Sequence, residues 1–258
     1  FKCVFKWANG RAELIRFNIE ALMIKFIRSA CSGFCFCVFG VGGLITGVII
    51  FPLVIAFAAR AQQLQIMLEI NCKLWRFFVW LMESFNLIDV DKHVLKKYEN
   101  LRGKVIISNH PSLIDIVILM AFIKNSVCVV KGSLAHNFFL KNIVKRIFII
   151  NNENTNTILK HAKVHLKQGY NIVIFPEGTR TVAGRKIALH RSFAQIALRA
   201  GVDIYPFLIT QSFPILGKMQ KWYQLGEKPC RYTFKPLKVI HYIDFKDNNL
   251  HTSAIQIT

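Results

Sequence analysis

The sequence predicts an α/β fold, a mainly parallel sheet flanked by helices, behind an N-terminal helical segment of membrane-anchoring character. Three observations predict it. Phe34 to Ala58 carries no charged side chain. From Gly103 onward, short apolar runs alternate with helix-periodic stretches, the pattern of a parallel sheet with crossover helices. Gly169 and Gly201 stand where the helices of that alternation should end.

The apolar segment comes first. Of its residues, fifteen are Leu, Ile, Val or Phe. As a helix it would reach roughly 37 Å, more than the ~30 Å hydrocarbon core of a bilayer. A second stretch, Leu74 to Val90, is rich in Trp75, Phe77, Phe78, Trp80 and Phe85, which suits the membrane interface. Basic residues flank both, with Lys2, Lys6, Arg11, Arg16, Lys25 and Arg28 before the first and Arg60, Lys73 and Arg76 after it. The two segments are expected to form a hairpin or monotopic anchor, bent near the glycines or Pro52, with both basic flanks on the cytosolic side. Residues 1–95 would form this anchor and residues 96–258 the α/β domain.

Composition agrees. Hydrophobic residues make up 53% of the 258, and mean hydropathy is +0.37. Lys and Arg number 34 against 14 Asp and Glu, a formal charge of +20. So basic a chain needs an anionic partner. The charges are spread rather than gathered in an arm, and no zinc-finger, RNA-binding or basic-zipper signature appears, so nucleic acid is not expected. An anionic phospholipid membrane is, since Lys and Arg near such a surface gain roughly 1 kcal/mol each. The seven cysteines include no CxxC pair and no zinc spacing. They read as small buried hydrophobes, reduced in the cytosol. His161 and His165 share a helix face with Lys160, Lys163 and Lys167, which reads as solvated rather than metal-binding.

Strands are expected at Val105–Ser108, Val127–Val130, Ile147–Ile150, Asn171–Phe175, Asp203–Ile209 and Tyr232–Tyr242, the last with an edge or break at Pro236. Helices are expected at Leu113–Ile123, Phe138–Lys145, Thr155–Lys167 and His190–Arg199.

Two blocks carry chemistry. In Ser108-Asn109-His110-Pro111-Ser112-Leu113-Ile114-Asp115, a strand ends, a turn follows and a helix begins. Loops at the carboxyl ends of parallel strands are where α/β proteins place ligands. Asp115 would lie in the first helical turn, able to reach back to His110. A carboxylate on one imidazole nitrogen fixes the tautomer and leaves the other to accept a hydroxyl proton. The plainer alternative is a helix cap made by Ser112 or Asp115. The second block is Phe175-Pro176-Glu177-Gly178-Thr179-Arg180. Gly178 permits close backbone approach, Thr179 and nearby amides can donate, and Arg180 offers a fork suited to phosphate. Glu177 would accept from a glycerol hydroxyl or hold Arg180. An ordinary surface turn with a Glu–Arg pair is the alternative. Between Gly103 and Pro206 the only acidic residues are Asp115, Glu153, Glu177 and Asp203, so two of four fall in these blocks.

Together the blocks resemble the glycerolipid acyltransferase superfamily, whose best-known members are the lysophosphatidate acyltransferases. The resemblance covers roughly Val105 to Ile209. It implies His110 as general base, Asp115 as its orienting partner, and Glu177, Gly178 and Arg180, with Thr179, around the acceptor's glycerol phosphate. Asn109 and Pro176 would support them. Val130-Lys131-Gly132-Ser133-Leu134 looks like the family's Lys-x-x-Leu element, with Lys131 a phosphate ligand, and Ile204-Tyr205-Pro206-Phe207 looks like its fourth block. Many members carry an Asp–Arg pair where this chain has Asn151-Asn152, and a basic-Gly-Ala run where it has His190-Arg191-Ser192-Phe193-Ala194. Both departures concern the acceptor rather than the reaction. The stretch Asn109–Val117 resembles a bacterial subset, some of whose members act on lipids other than phosphatidate precursors. A bacterial inner membrane, with the catalytic domain on its cytoplasmic side, is the expected location.

The reaction so implied moves a fatty acyl group from acyl-carrier protein or acyl-CoA to a lysophospholipid hydroxyl, with 1-acyl-glycerol-3-phosphate the first expected acceptor. No metal or other cofactor is expected. A different lysolipid or a non-glycerol hydroxyl is the runner-up acceptor. A covalent-serine enzyme would need an elbow such as Gly-x-Ser-x-Gly, which is missing. A non-catalytic membrane or nucleic-acid binding protein would have no need of the intact motif residues.

Overall fold

The computed structural model describes residues 2–151, 155–182, 184, 188–245 and 250–258, with backbone alone for 2–19, 21, 155, 250 and 251. Asn152 and Glu153 lie outside the described residues, as do the side chains of Cys3, Lys2, Lys6, Arg11 and Arg16.

Helix α1 runs Lys2–Ile45, passes through a π-helical turn at Thr46–Ile50, and continues as α2, Phe51–Phe57. The expected bend at the glycines or Pro52 does not occur. A proline ring clashes with the carbonyl four residues back, and the wider π turn just upstream gives it room. The chain reverses instead at residues 58–62, and α3, Gln63–Ser84, returns alongside. The pairing is antiparallel: Phe34 meets Phe85 edge-on at 5.8 Å, Phe39 meets Phe78 at 4.7 Å, and Phe39 meets Trp75 at 6.4 Å. Leu22–Phe57 is long and apolar enough to cross a membrane by length and composition, and Phe26 and Phe57 on it are 75% and 85% exposed.

Gly43 of α1 and Gly47 of the π turn serve packing. A Cβ on Gly43 would meet Leu140 at 2.9 Å, and one on Gly47 would meet Cβ of Asn142 at 2.8 Å, whereas Gly42 faces open space. Their absent side chains let α1 lie against the start of α6, Lys141–Ile147. That helix begins later than expected because Asn137 Oδ1 accepts from the amides of Phe139 and Leu140, holding them in a turn.

Among the described residues the sheet has seven strands: β1 Ile88–Val90, β2 Val105–Ser108, β3 Ser126–Lys131, β4 Ile149–Asn151, β5 Asn171–Ile174, β6 Ile204–Gln211 and β7 Cys230–Pro236. Their order is β1-β7-β6-β2-β5-β3-β4, and every pairing is parallel except β6 with β7. The central β2 and β5 are buried apolar runs, as a strand covered on both faces requires. Strand β7 stops at Pro236, which has no amide to donate, and Ile240 pairs with Ile204 only as an isolated bridge. Strand β1 has no counterpart among the expected elements, since three residues are too few for an alternation signal. It joins the sheet from the N-terminal side of the division expected at residue 95. The remaining helices are α4 Lys92–Lys96, α5 Asp115–Phe122, α7 Thr155–Lys167, α8 Ser192–Ala200 and α9 Leu250–Ile257. Gly201 closes α8 with φ of 70°. His165 turns partly inward on α7, edge-on to Tyr170 at 6.0 Å, rather than onto a solvated face. Cys35, Cys72, Cys128 and Cys230 are buried free thiols.

Close helix approach at the glycines predicts an asymmetric mutational response. Gly47→Val is expected to destabilise by about 1–3 kcal/mol, as overpacking does, whereas Gly42→Ala should leave thermal unfolding in detergent unchanged or slightly improved.

Candidate active site

The site forms at the carboxyl edge of β2 and β5, neighbours in register from Val105↔Ile172 to Ile107↔Ile174. Each strand delivers one motif as it ends. Asn109 continues β2 by a side-chain ladder: its Nδ2 donates to Ile209 O at 2.9 Å, and Ile209 N donates to its Oδ1 at 2.7 Å. The loop from His110 is thereby pinned to β6.

The next turn is built around Asp115, the first residue of α5, whose side chain is fully buried. Its Oδ2 accepts from the Ser112 amide at 2.7 Å and from His110 Nδ1 at 2.9 Å, and its Oδ1 accepts from Ser112 Oγ at 2.7 Å. No side chain caps the amides of α5 at its N-cap Ile114, so the plain helix cap is not what this block forms. Asp115 instead pins the turn before its helix through the Ser112 amide and holds the imidazole with the same carboxylate. This shifts the helix start from the expected Leu113 to Asp115, because residues 112–114 wrap the carboxylate. With Nδ1–H committed to a carboxylate, Nε2 of His110 is the acceptor. That nitrogen has no partner among the described residues, and the side chain is 18% exposed.

The second motif lies directly over the first. Phe175 stacks on the His110 ring, centroids 4.1 Å apart and planes 20° from parallel. The His110 amide donates to Thr181 Oγ1 at 3.0 Å, and the Thr181 amide donates to His110 O at 2.7 Å. Thr181 Oγ1 donates in turn to Glu177 Oε1. Glu177 thus ties the two motifs together rather than pairing with Arg180. Pro176 is buried, and its carbonyl accepts from the His190 amide at 2.8 Å. Gly178 has φ of 63°, and a Cβ there would press on the His190 ring at 3.3 Å. Thr179 is exposed.

Arg180 Nη1 donates to Leu216 O at 3.0 Å and Gly217 O at 2.9 Å. Leu216 has a left-handed backbone, φ 54°, and its carbonyl also accepts from the Leu113 amide at 3.0 Å. Arg180 therefore clamps the 212–229 loop with one nitrogen. Lys131 ends β3, which is separated from β2 by β5 alone, and its side chain is exposed. That places it roughly 10 Å from the His110 strand at ordinary strand spacing. Thr181 and the 216–217 carbonyls escaped sequence reading, and Ser112, read there only as a possible helix cap, instead donates to Asp115. Thr181 stands one residue beyond the motif, and the loop carbonyls lie about 36 residues further along the chain.

A cavity of about 390 Å³ abuts the His110 loop between α1, α3, α5 and residues 130–148. Leu113 and Ile114, inside the loop, form part of its wall with Phe39, Trp75 and Phe148.

Residues 89–210 match the family model described as Acyltransferase. A 1-acyl-sn-glycerol-3-phosphate acyltransferase of Cocos nucifera is 25% identical over 168 residues, covering 60% of this chain and 51% of that protein. One from Helicobacter pylori strain J99 is 30% identical over 140 residues, covering 52% of this chain and 59% of that protein. The matched stretches thus span just over half the length of these curated relatives. The crystal structure of the 1-acyl-sn-glycerophosphate acyltransferase from Thermotoga maritima superposes with a TM-score of 0.65 over 93% of each chain at 18% identity, a likeness of fold.

Because Asn109 satisfies two backbone groups of β6, Asn109→Ala is expected to destabilise by about 1–3 kcal/mol in equilibrium denaturation, the cost of leaving buried groups unpaired.

Proposed function

We infer that this chain, which belongs to the glycerolipid acyltransferase superfamily, moves a fatty acyl group from a thioester to the free hydroxyl of a lysophospholipid. The observation that carries the reading is the 2.9 Å bond between His110 Nδ1 and a fully buried Asp115 carboxylate. This pair leaves Nε2 free to take a proton. The acceptor's hydroxyl meets the thioester carbonyl beside that nitrogen, its proton passes to Nε2 as its oxygen attacks, and collapse of the tetrahedral intermediate expels the thiol. In this reading, backbone amides near the two motifs stabilise the oxyanion. Asp115 stabilises the imidazolium while it exists.

The acceptor is 1-acyl-glycerol-3-phosphate in this reading. Its phosphate sits against Arg180, whose second terminal nitrogen is not used on the loop carbonyls, with Lys131 as a more distant cation. The apolar cavity beside Leu113 and Ile114 suits an acyl chain: its walls are of the kind ligand pockets use, and its size lies within their range. Acyl-carrier protein and acyl-CoA are both anionic donors that a chain of charge +20 attracts. The exposed apolar flank of Leu22–Phe57 rests in an anionic bilayer, with the catalytic edge on the cytoplasmic side.

His110→Ala is expected to lower turnover at least ~100-fold, the lower end for loss of a general base, and Asp115→Asn to fall nearly as far with the fold intact. Arg180→Ala should mainly raise KM for the acceptor. These are read by thiol release and by mass spectrometry of the product across a panel of lysophospholipids, with acyl-CoA and acyl-carrier protein as alternative donors. Near-wild-type transfer by His110→Ala would contradict the assignment.

A further inference from the structure

The carboxylate that steers His110 is itself held by a chain of groups leading out to β7. Ser112 Oγ donates to Asp115 Oδ1 at 2.7 Å, and Tyr232 OH donates to Ser112 Oγ at 3.0 Å. Gln211 Nε2 donates to Tyr232 Oη at 2.7 Å and to Ile215 O at 3.1 Å. Ser112, Asp115 and Tyr232 are all 0% exposed.

The directions in this chain are forced. A peptide carbonyl only accepts, so the Gln211 nitrogen must face Ile215 O. The same nitrogen reaches Tyr232, so the phenolic proton points away from Gln211, toward Ser112. Ser112 Oγ then accepts from Tyr232 and spends its own proton on Asp115. A phenylalanine would fill nearly the volume of Tyr232 without burying a hydroxyl, which is costly unless paired. Burial first, and then the charge of Asp115, push the Tyr232 phenol well above its usual value, so it stays protonated and donating.

We propose that Tyr232, backed by Gln211 and acting through Ser112, is a positioning residue of the His110–Asp115 pair. It keeps the Ser112 hydroxyl proton directed at Oδ1 of the carboxylate and so fixes the carboxylate plane, with Oδ2 aimed at His110 Nδ1. Both Tyr232 and Gln211 lie beyond the residues 89–210 matched by the family model. The inference rests on the reading of His110 as base and extends the site to the antiparallel edge of the sheet.

The test uses the full chain in lipid–detergent micelles, with Tyr232→Phe, Ser112→Ala, the double variant and Gln211→Met. With acyl-CoA and lysophosphatidate, Tyr232→Phe is expected to lose roughly 3- to 10-fold in kcat, the worth of one hydrogen bond, while KM for both substrates stays within about twofold. The double variant should fall no lower than Ser112→Ala alone, within about twofold, because the tyrosine acts through the serine. A second readout needs no substrate. In protein labelled with nitrogen-15 histidine, the Nδ1–H resonance of His110, identified by its loss in His110→Gln, should move in Tyr232→Phe and in the same direction in Gln211→Met. An unmoved resonance in both variants overturns the proposal. So do losses that simply multiply in the double variant. A wild-type chain that acylates no lysophospholipid would instead defeat the functional reading, and the resonance would still decide this one.

Discussion

A carboxylate buried among protein groups needs hydrogen-bond partners to remain charged, and the edge of the sheet that carries the candidate site is organised around that requirement at Asp115. Its two oxygens accept three hydrogen bonds, all from residues 110–112. Those bonds dictate the tight path from β2 into α5, the late start of the helix and the direction of the imidazole. Ser112, which in isolation could pass for a nucleophile, is consumed by this task, with its proton on Asp115 and its surface closed. Among the described residues, Nε2 of His110 is left beside the carboxylate without a partner. The proposed reaction therefore uses a hydroxyl that the substrate brings.

A second constraint joins this edge to the helical hairpin. The 212–229 loop is held at one end by Arg180 and Leu113, through the carbonyls of Leu216 and Gly217. At its other end Arg28 of α1 donates to Gly226 O and Lys228 O, and also to Asn86 O beyond α3. Ser29 and Ser32 of α1 donate to the carbonyls of Tyr223 and Trp222. An arginine inside a long apolar helix would be expensive in hydrocarbon. Here its fork is filled by protein carbonyls, which places that turn of α1 against the catalytic domain. The apolar flank and the loops around His110 are thus parts of one packed body, which suits the proposed transfer to a lysophospholipid.

Much of this was legible in the sequence because the signals are local. Val105–Ser108 and Thr155–Lys167 fold with the bounds their patterns suggest. The two motifs meet because each ends a strand of one parallel sheet, and alternation of strand and helix predicts such a sheet. What stayed hidden depends on distant partners or on very short elements. Strand β1 has three residues, one of them Asp89. The π turn answers to Pro52 through backbone sterics that no periodicity reports. Glu177 and Arg180 read naturally as a pair, yet each finds its described partner elsewhere, Glu177 in the His110 loop and Arg180 in a carbonyl turn. Tyr232 bonds across 120 residues, and nothing in its own neighbourhood marks it as more than a strand residue.

In the proposed reaction transfer is direct, with the lysolipid's own oxygen attacking the thioester and no acyl group resting on the protein. The sharpest measurement mixes the chain with a radiolabelled acyl thioester in the absence of any acceptor, then adds lysolipid. Direct transfer predicts no label on the protein and no rapid thiol release until the acceptor arrives. A burst of thiol equal to the enzyme present, with label retained on the denatured chain, would contradict it.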